Sequence, residues 1–241
     1  MRDRSVPQRR SSPRPRPKSE LRVPGIELGS LCQDVSEKLW KVKSDGGSGS
    51  PYLIFPKKRD GSTRVSEQES KIIFSQWFER HTVFYSVETP TQNVFMQKGS
   101  TPLSARIDLT AYSERNPSAR ILNIELKSGN PDSEQFRKDL EKLLREGVPG
   151  LWFHTLAAAN ENTWLSIRKK IQASLDGLEK HSTPAMHTIH FAFCVLKDSM
   201  LVEFDLDFST RWREHFDQTF DDARSRPIFP SPIGTAAPVG Q

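Results

Sequence analysis

The apolar positions fall into short runs whose spacing alternates between the helical period and the strand period. Over 28–43, Leu31, Val35, Leu39 and Val42 lie four, four and three residues apart, one helical face, read as a short helix appended to the main domain. Ser66 is a good helix N-cap, with Glu67 and Glu69 in the first turn and an S-x-x-E capping box. Ile72, Ile73, Trp77 and Phe78 then supply a helical face up to Arg80. The β-branched and aromatic stretch 82–87 predicts a strand, and 89–101 a loop, or a hairpin around Val94 and Met96. Strict alternation over 105–112, and again over 120–127, predicts two more strands. Asp132 or Ser133 caps a helix running to about Glu146, with Phe136, Leu140, Leu143 and Leu144 turned inward. A strand over 150–156 and a long helix from Asn160 or Asn162 to near Lys180 follow. Strands over 187–196 and 200–208, joined by the turn Lys197, Asp198, Ser199, close the series. The order is helix, strand, strand, strand, helix, strand, helix, strand, strand, an α/β chain.

Composition places the folded part between two tails. The chain has 241 residues and a net charge of +5, but residues 1–22 hold eight basic residues against Asp3 and Glu20. The rest is close to neutral, which argues against a domain that coats nucleic acid with uniform positive charge. Residues 1–24 are rich in Arg, Pro and Ser and read as a disordered basic tail. Residues 25–51 read as the short helix plus a Gly/Ser linker, 52–222 as the domain, and 223–241 as a disordered C-terminal tail. Two cysteines exclude a disulfide-dense scaffold and a four-cysteine zinc site. The longest apolar run is six residues (191–196), whereas a helical membrane span needs about 20. The charged N-terminus has no apolar stretch behind it and is no secretory signal. The expectation is a cytoplasmic protein with no membrane partner.

The chemistry lies on two adjacent strands. Alternation over 121–127 puts Asn123, Glu125 and Lys127 on one face, with Glu125 and Lys127 about 7 Å apart from two strand rises. Opposite charges on an otherwise apolar strand are costly if buried without purpose. Asp108 sits in the same situation between Ile107 and Leu109, and the 17 residues separating it from Glu125 suffice for two neighbouring strands joined by a turn. In the right register Asp108, Glu125 and Lys127 converge. Two carboxylates at a strand end suit a hard divalent cation, and a lysine beside them can orient water or balance phosphate charge. These are the parts of hydrolytic phosphodiester cleavage. Glu69 precedes Ile72 and Ile73 by three and four positions, so it lies on the core-facing stripe of its helix and is the candidate supporting acid. Glu67 is followed at those offsets by Ser70 and Lys71 and is set toward solvent.

Glu69 on a helix, a strand, Asp108 in Arg-Ile-Asp-Leu, then Glu125-Leu126-Lys127 on the next strand, a helix and a further strand: this series resembles the PD-(D/E)XK nuclease superfamily. The resemblance covers about residues 66–157. It implies a restriction-endonuclease-like α-β-β-β-α-β core with a mixed sheet flanked by helices, here followed by a C-terminal β-hairpin. It implies a metal-dependent nuclease with Mg²⁺ or Mn²⁺ as cofactor, Glu69 as the helix-borne acid, Asp108 and Glu125 as metal ligands and Lys127 as the catalytic lysine. Ile107 stands where the family pattern often has proline. Gln135, Asp139 and Lys142 form a polar stripe beside the Phe136/Leu140/Leu144 stripe, as near the active site of some members, and are set down as possible supporting residues against the plainer reading of an ordinary polar helix face.

Plainer readings exist for other residues. Asp108, Glu125 and Lys127 also suit a cross-strand ion-pair cluster. His154, among Trp152, Phe153 and Leu156, reads as a packed core histidine. Glu88 is left open between a strand-end residue and one that reaches the site. His181, His187 and His190 have no metal-motif spacing, which argues against a zinc site. The run Gly-Gly-Ser-Gly-Ser lacks the lysine of a phosphate loop. With no sequence-reading module in evidence, the expected partners are nucleic acid, DNA ahead of RNA, and a protein supplying specificity in a defence or repair system, with a homodimer left open. The rivals are a non-catalytic nucleic-acid-binding or assembly module on the same fold and an RNA-directed nuclease.

Overall fold

A computed structural model describes residues 21–43, 53–95, 103–178, 188–208 and 212–230. Six strands form one mixed sheet in sequence order: β1 Phe84–Phe95, β2 Leu103–Tyr112, β3 Arg120–Ser128, β4 Gly150–Leu156, β5 Thr188–Val195 and β6 Met200–Asp207. β1, β2 and β3 pair antiparallel, β3, β4 and β5 parallel, and β5 and β6 antiparallel. The parallel pairs need crossovers, supplied by α3 Ser133–Arg145 and α4 Glu161–Leu178. The remaining helices are α1 Leu28–Lys43, α2 Glu67–Arg80 and α5 Trp212–Ser225.

The sheet separates two cores. α1 and α2 bury Leu31, Leu39, Phe74 and Phe78 against Ile124, Leu126 and Phe153 on one face. α3, α4 and α5 bury Phe136, Trp164 and Phe220 against Trp152, Phe191 and Phe204 on the other. β4 is buried along its whole length, as a strand between parallel neighbours under two helix layers must be. This is the α/β class, with helices on both faces of a mixed sheet.

Several boundaries differ from the sequence reading. β1 does not end near Val87 but runs on through Thr89 and Pro90 to Phe95. A proline is admissible there because β1 is an edge strand. Glu146, at the end of α3, anchors the extension by accepting from the amides of Gln92 (2.8 Å) and Asn93 (3.0 Å), a long-range contact that no local pattern reveals. α1 packs onto the main domain so closely that Leu28, Leu31, Val35 and Leu39 are enclosed in the core it shares with α2 and the sheet. The C-terminal segment after 222 is ordered as far as 230: α5 runs to Ser225, and Ile228 exchanges two backbone hydrogen bonds of 2.8 Å with Leu201. α5 itself was missed, although Trp212, Phe216 and Phe220 carry helical spacing and all three are buried. Residues 1–20, the Gly/Ser linker, Met96, His181, His187 and the tail from 231 lie outside the described residues.

Candidate functional site

On β3 the alternation is strict. Leu122, Ile124 and Leu126 enter the core beneath α1 and α2, which turns Asn123, Glu125 and Lys127 to the α3 side. Thr110 of β2 donates to Asn123 Oδ1 at 3.0 Å on that side. Two residues along each strand, Asp108 and Glu125 therefore follow on the same face. Asp108 Oδ2 accepts the amide of Leu126 at 2.9 Å, so the aspartate is pinned across the strand pair.

α3 lies over this row because Phe136 stacks on Trp152 at 4.6 Å and because β4 begins with Gly150. A side-chain carbon there would come 3.1 Å from Leu143 Cβ, so glycine lets the helix approach without displacing Leu143. The polar stripe of α3 is thereby lowered onto the sheet. Asp139 lies 2.8 Å from Lys127 Nζ, and Lys142 lies 2.6 Å from Asp139 and 2.7 Å from Glu125. Lys127 is 4.0 Å from Glu125. Gln135 closes a reciprocal capping box with Asp132 (2.8 and 3.1 Å) and lines a cleft of about 470 Å³ with Glu67, Lys127, Asn130, Pro131 and Asp139.

The acids of α2 differ from the sequence reading in what they touch: Glu69 is core-facing as its spacing predicts, yet it is Glu67 that reaches the cluster. Glu69 is buried, but its Oε2 turns back to accept from the Ser66 amide (3.1 Å) and hydroxyl (2.6 Å); it caps its own helix. Glu67, which the spacing set toward solvent, reaches to 3.9 Å from Lys127. Its helix neighbour Lys71 bonds Asp108 Oδ1 at 3.2 Å and pairs with Glu88. The face of α2 that looked exposed is the one turned to the cluster, through Glu67 to Lys127 and Lys71 to Asp108. Glu88, opposite Asp108 on β1, has a φ of +50°. A left-handed conformation is unusual for a residue inside a strand and costs on the order of 1–3 kcal/mol. The pairing of Glu88 with Lys71 is the contact that accompanies it.

Burial and charge set the protonation. Glu125 is 1% exposed. Burial first, then the charges of Asp139 and Asp108, hold its carboxyl well above the usual range against the pull of Lys142 and Lys127. The Lys142 ammonium sits off the hydrogen-bonding direction of Glu125 Oε1. Burial alone would loosen the proton on Lys127, but Asp139 and Glu125 outweigh it and the net shift is upward. Lys127 is therefore held as an ammonium. Glu67 is raised by burial, then by Asp108 and Asp139, with Lys127 opposing. His154 is fully buried, pushed down to about 4 by burial, and bonds the Gly129 carbonyl at 2.9 Å; it is a neutral core group, not a ligand.

A metal at this position is tested by the donors. Carboxylate oxygens are what Mg²⁺ or Mn²⁺ takes, and Glu125 Oε1 lacks a well-directed hydrogen bond. Among the described residues no three acids of this cluster bring oxygens mutually within 4.8 Å, and the two carboxylates of this sheet face, Asp108 and Glu125, each stand against a lysine, Lys71 at 3.2 Å and Lys142 at 2.7 Å. Sequence reasoning missed Lys71 and misplaced Glu67. The signal available was their i, i+4 spacing on one helix.

The architecture defines an α/β protein with a charged cluster between α2, α3 and the β2–β3 pair. No family model and no curated protein matches the chain. Among solved structures, the central domain of yeast acetyl-CoA carboxylase is similar at 11% identity and a TM-score of 0.29 over 76% of this chain, a likeness too slight to carry an argument. The chain spans about a third of that structure's length. No helix among the described residues is long and apolar enough to cross a membrane.

Proposed function

We propose that this protein is a metal-dependent nuclease on a restriction-endonuclease-like core, acting on DNA ahead of RNA. One observation carries the reading: a buried glutamate and an aspartate occupy one face of the β2–β3 pair, and beside the glutamate stands Lys127, which lines an open cleft. The segment α2-β1-β2-β3-α3-β4 supports it by running in the order the resemblance implies. Asp108 and Glu125 are the residues that would hold Mg²⁺ or Mn²⁺. A bound divalent cation supplies Lewis acidity toward a phosphate oxygen and acidifies bound water. Lys127 holds a positive charge where a phosphate would lie, Asp139 fixes that ammonium, and Glu67 opens onto the cleft with a raised affinity for a proton, the property of a group that accepts one from water.

A second reading, a non-catalytic nucleic-acid-binding or assembly module, is favoured by one observation. Lys142 already stands against Glu125 and Lys71 against Asp108, so the cluster is compensated by its own lysines. The full chain is incubated with linear, circular and single-stranded DNA and with RNA, with Mg²⁺, Mn²⁺ or EDTA, beside Asp108→Ala and Lys127→Ala. Cleavage that needs metal and disappears in both variants is expected. Binding without cleavage of any substrate, unchanged in both variants, overturns the enzyme in favour of the module.

A further inference from the structure

On the opposite face of the sheet a second polar group is enclosed under α1. Cys32 Sγ, an imidazole nitrogen of His190 and a carboxylate oxygen of Glu203 all lie within 4.8 Å of one another. They come from α1, β5 and β6. Cys32 and His190 are buried, and the Glu203 side chain is 17% exposed, which leaves a route to solvent. His190 Nδ1 donates to Asp205 Oδ1 at 2.7 Å. That bond fixes the ring and aims Nε2 at Glu203 Oε2, 3.8 Å away, and both atoms are buried without a hydrogen-bond partner. Orphaned buried polar atoms are costly, and here two of them face a thiol.

We propose that Cys32, His190 and Glu203 form a zinc site, with Asp205 as the carboxylate that orients the histidine. Sulfur, imidazole nitrogen and carboxylate oxygen are the donor set zinc takes, at roughly 2.0–2.3 Å, and a small inward closure of the three side chains would reach it. A carboxylate on the far nitrogen of a ligating histidine is a regular companion of such sites. Gly29 keeps the space open: a side-chain carbon there would lie 3.2 Å from Glu203 Oε1 and 3.3 Å from Glu27 Oε1. The fourth position is left to water. The site shares no residue with the cluster at Glu125, and the spacing of its ligands, 32, 190 and 203, hid it from any linear motif.

The test is zinc content of the full chain by elemental mass spectrometry after incubation with Zn²⁺ and desalting, together with the spectrum of the Co²⁺-loaded protein. One zinc per chain and a thiolate-to-cobalt charge-transfer band are expected. Cys32→Ser should abolish the band, Glu203→Gln should lose stoichiometric zinc, and Asp205→Asn should weaken zinc affinity about 10–100-fold. Cys194→Ser and Asp108→Ala should keep both signals. Wild-type protein that retains no zinc, or a cobalt band that survives Cys32→Ser, overturns the proposal. If Cys32→Ser does not fold, Glu203→Gln decides in the same way, because its side chain is partly exposed.

Discussion

The two charged clusters occupy opposite faces of one sheet and settle the cost of burial differently. Around Glu125 the chain supplies its own counter-ions: Lys71, Lys127 and Lys142 interleave with Asp108, Asp139 and Glu67 at 2.6–4.0 Å. Around His190 the charged partners are acids, Asp205 Oδ1 at 2.7 Å from Nδ1 and Glu203 Oε2 at 3.8 Å from Nε2, and Nε2 and Glu203 Oε2 make no well-directed hydrogen bond. A self-compensated cluster holds together as it stands and must open to admit a cation. Buried atoms that lack a well-directed hydrogen bond gain most from an ion that binds them from outside. Metal uptake should therefore be linked to folding stability more strongly on the α1 side than on the α3 side.

The largest effect should come from breaking the compensation. Lys142→Ala leaves Glu125 buried without its nearest cation and should cost about 3–5 kcal/mol, read as a lower urea midpoint at unchanged slope. The double variant Lys142→Met/Glu125→Leu, which removes both charges, should recover most of that. If Lys142→Ala is neutral, the lysines are not what stabilises the cluster and the contrast between the two faces dissolves.

The next effect sets a neutral buried histidine against these charges. His154 pairs with Lys127 across the β3–β4 ladder, and its ring is pushed down to about 4 by burial. A folded value below the unfolded one of about 6.5 contributes stability that is present above pH 6.5 and lost as the pH falls through that value toward 4. The full loss is about 3 kcal/mol. His154→Gln can keep a donor toward Gly129 and should flatten the wild-type difference in unfolding free energy between pH 7 and pH 4.5. An equal pH dependence in both proteins would show that the ring is not held neutral.

Much of this was legible along the chain, for a physical reason. Strand alternation sorts side chains between faces without needing tertiary information, and so Asp108, Glu125 and Lys127 could be put on one face from sequence alone. The 3.6-residue period placed Asp139 and Lys142 on one stripe of α3, and only the stacking of Phe136 on Trp152 and the gap at Gly150 turned that stripe into part of a cluster. What stayed hidden depended on contacts far apart in sequence. The continuation of β1 past Pro90 rests on Glu146, and the burial of α1 rests on strands more than 60 residues away. The grouping of Cys32, His190 and Glu203 exists only once β5 and β6 lie beneath α1.

The smallest effects separate the two acids of the first turn of α2, which the sequence assigned the other way round. Glu67→Gln removes the one carboxylate of that helix that reaches Lys127 and should lower metal-dependent cleavage by about 10²-fold, with the thermal midpoint nearly unchanged because the side chain is 37% exposed. Glu69→Ala should do the reverse. It deletes the acceptor of the Ser66 amide and hydroxyl and should cost about 1 kcal/mol of stability. Glu69→Gln keeps a capping-box side chain and should restore it. Measuring both properties in all three variants decides the assignment, because each acid is then expected to move one quantity and leave the other in place. Loss of cleavage in Glu69→Gln at full stability would return the supporting role to Glu69, and would mean that the carboxylate seen capping the helix swings away from Ser66 when substrate binds.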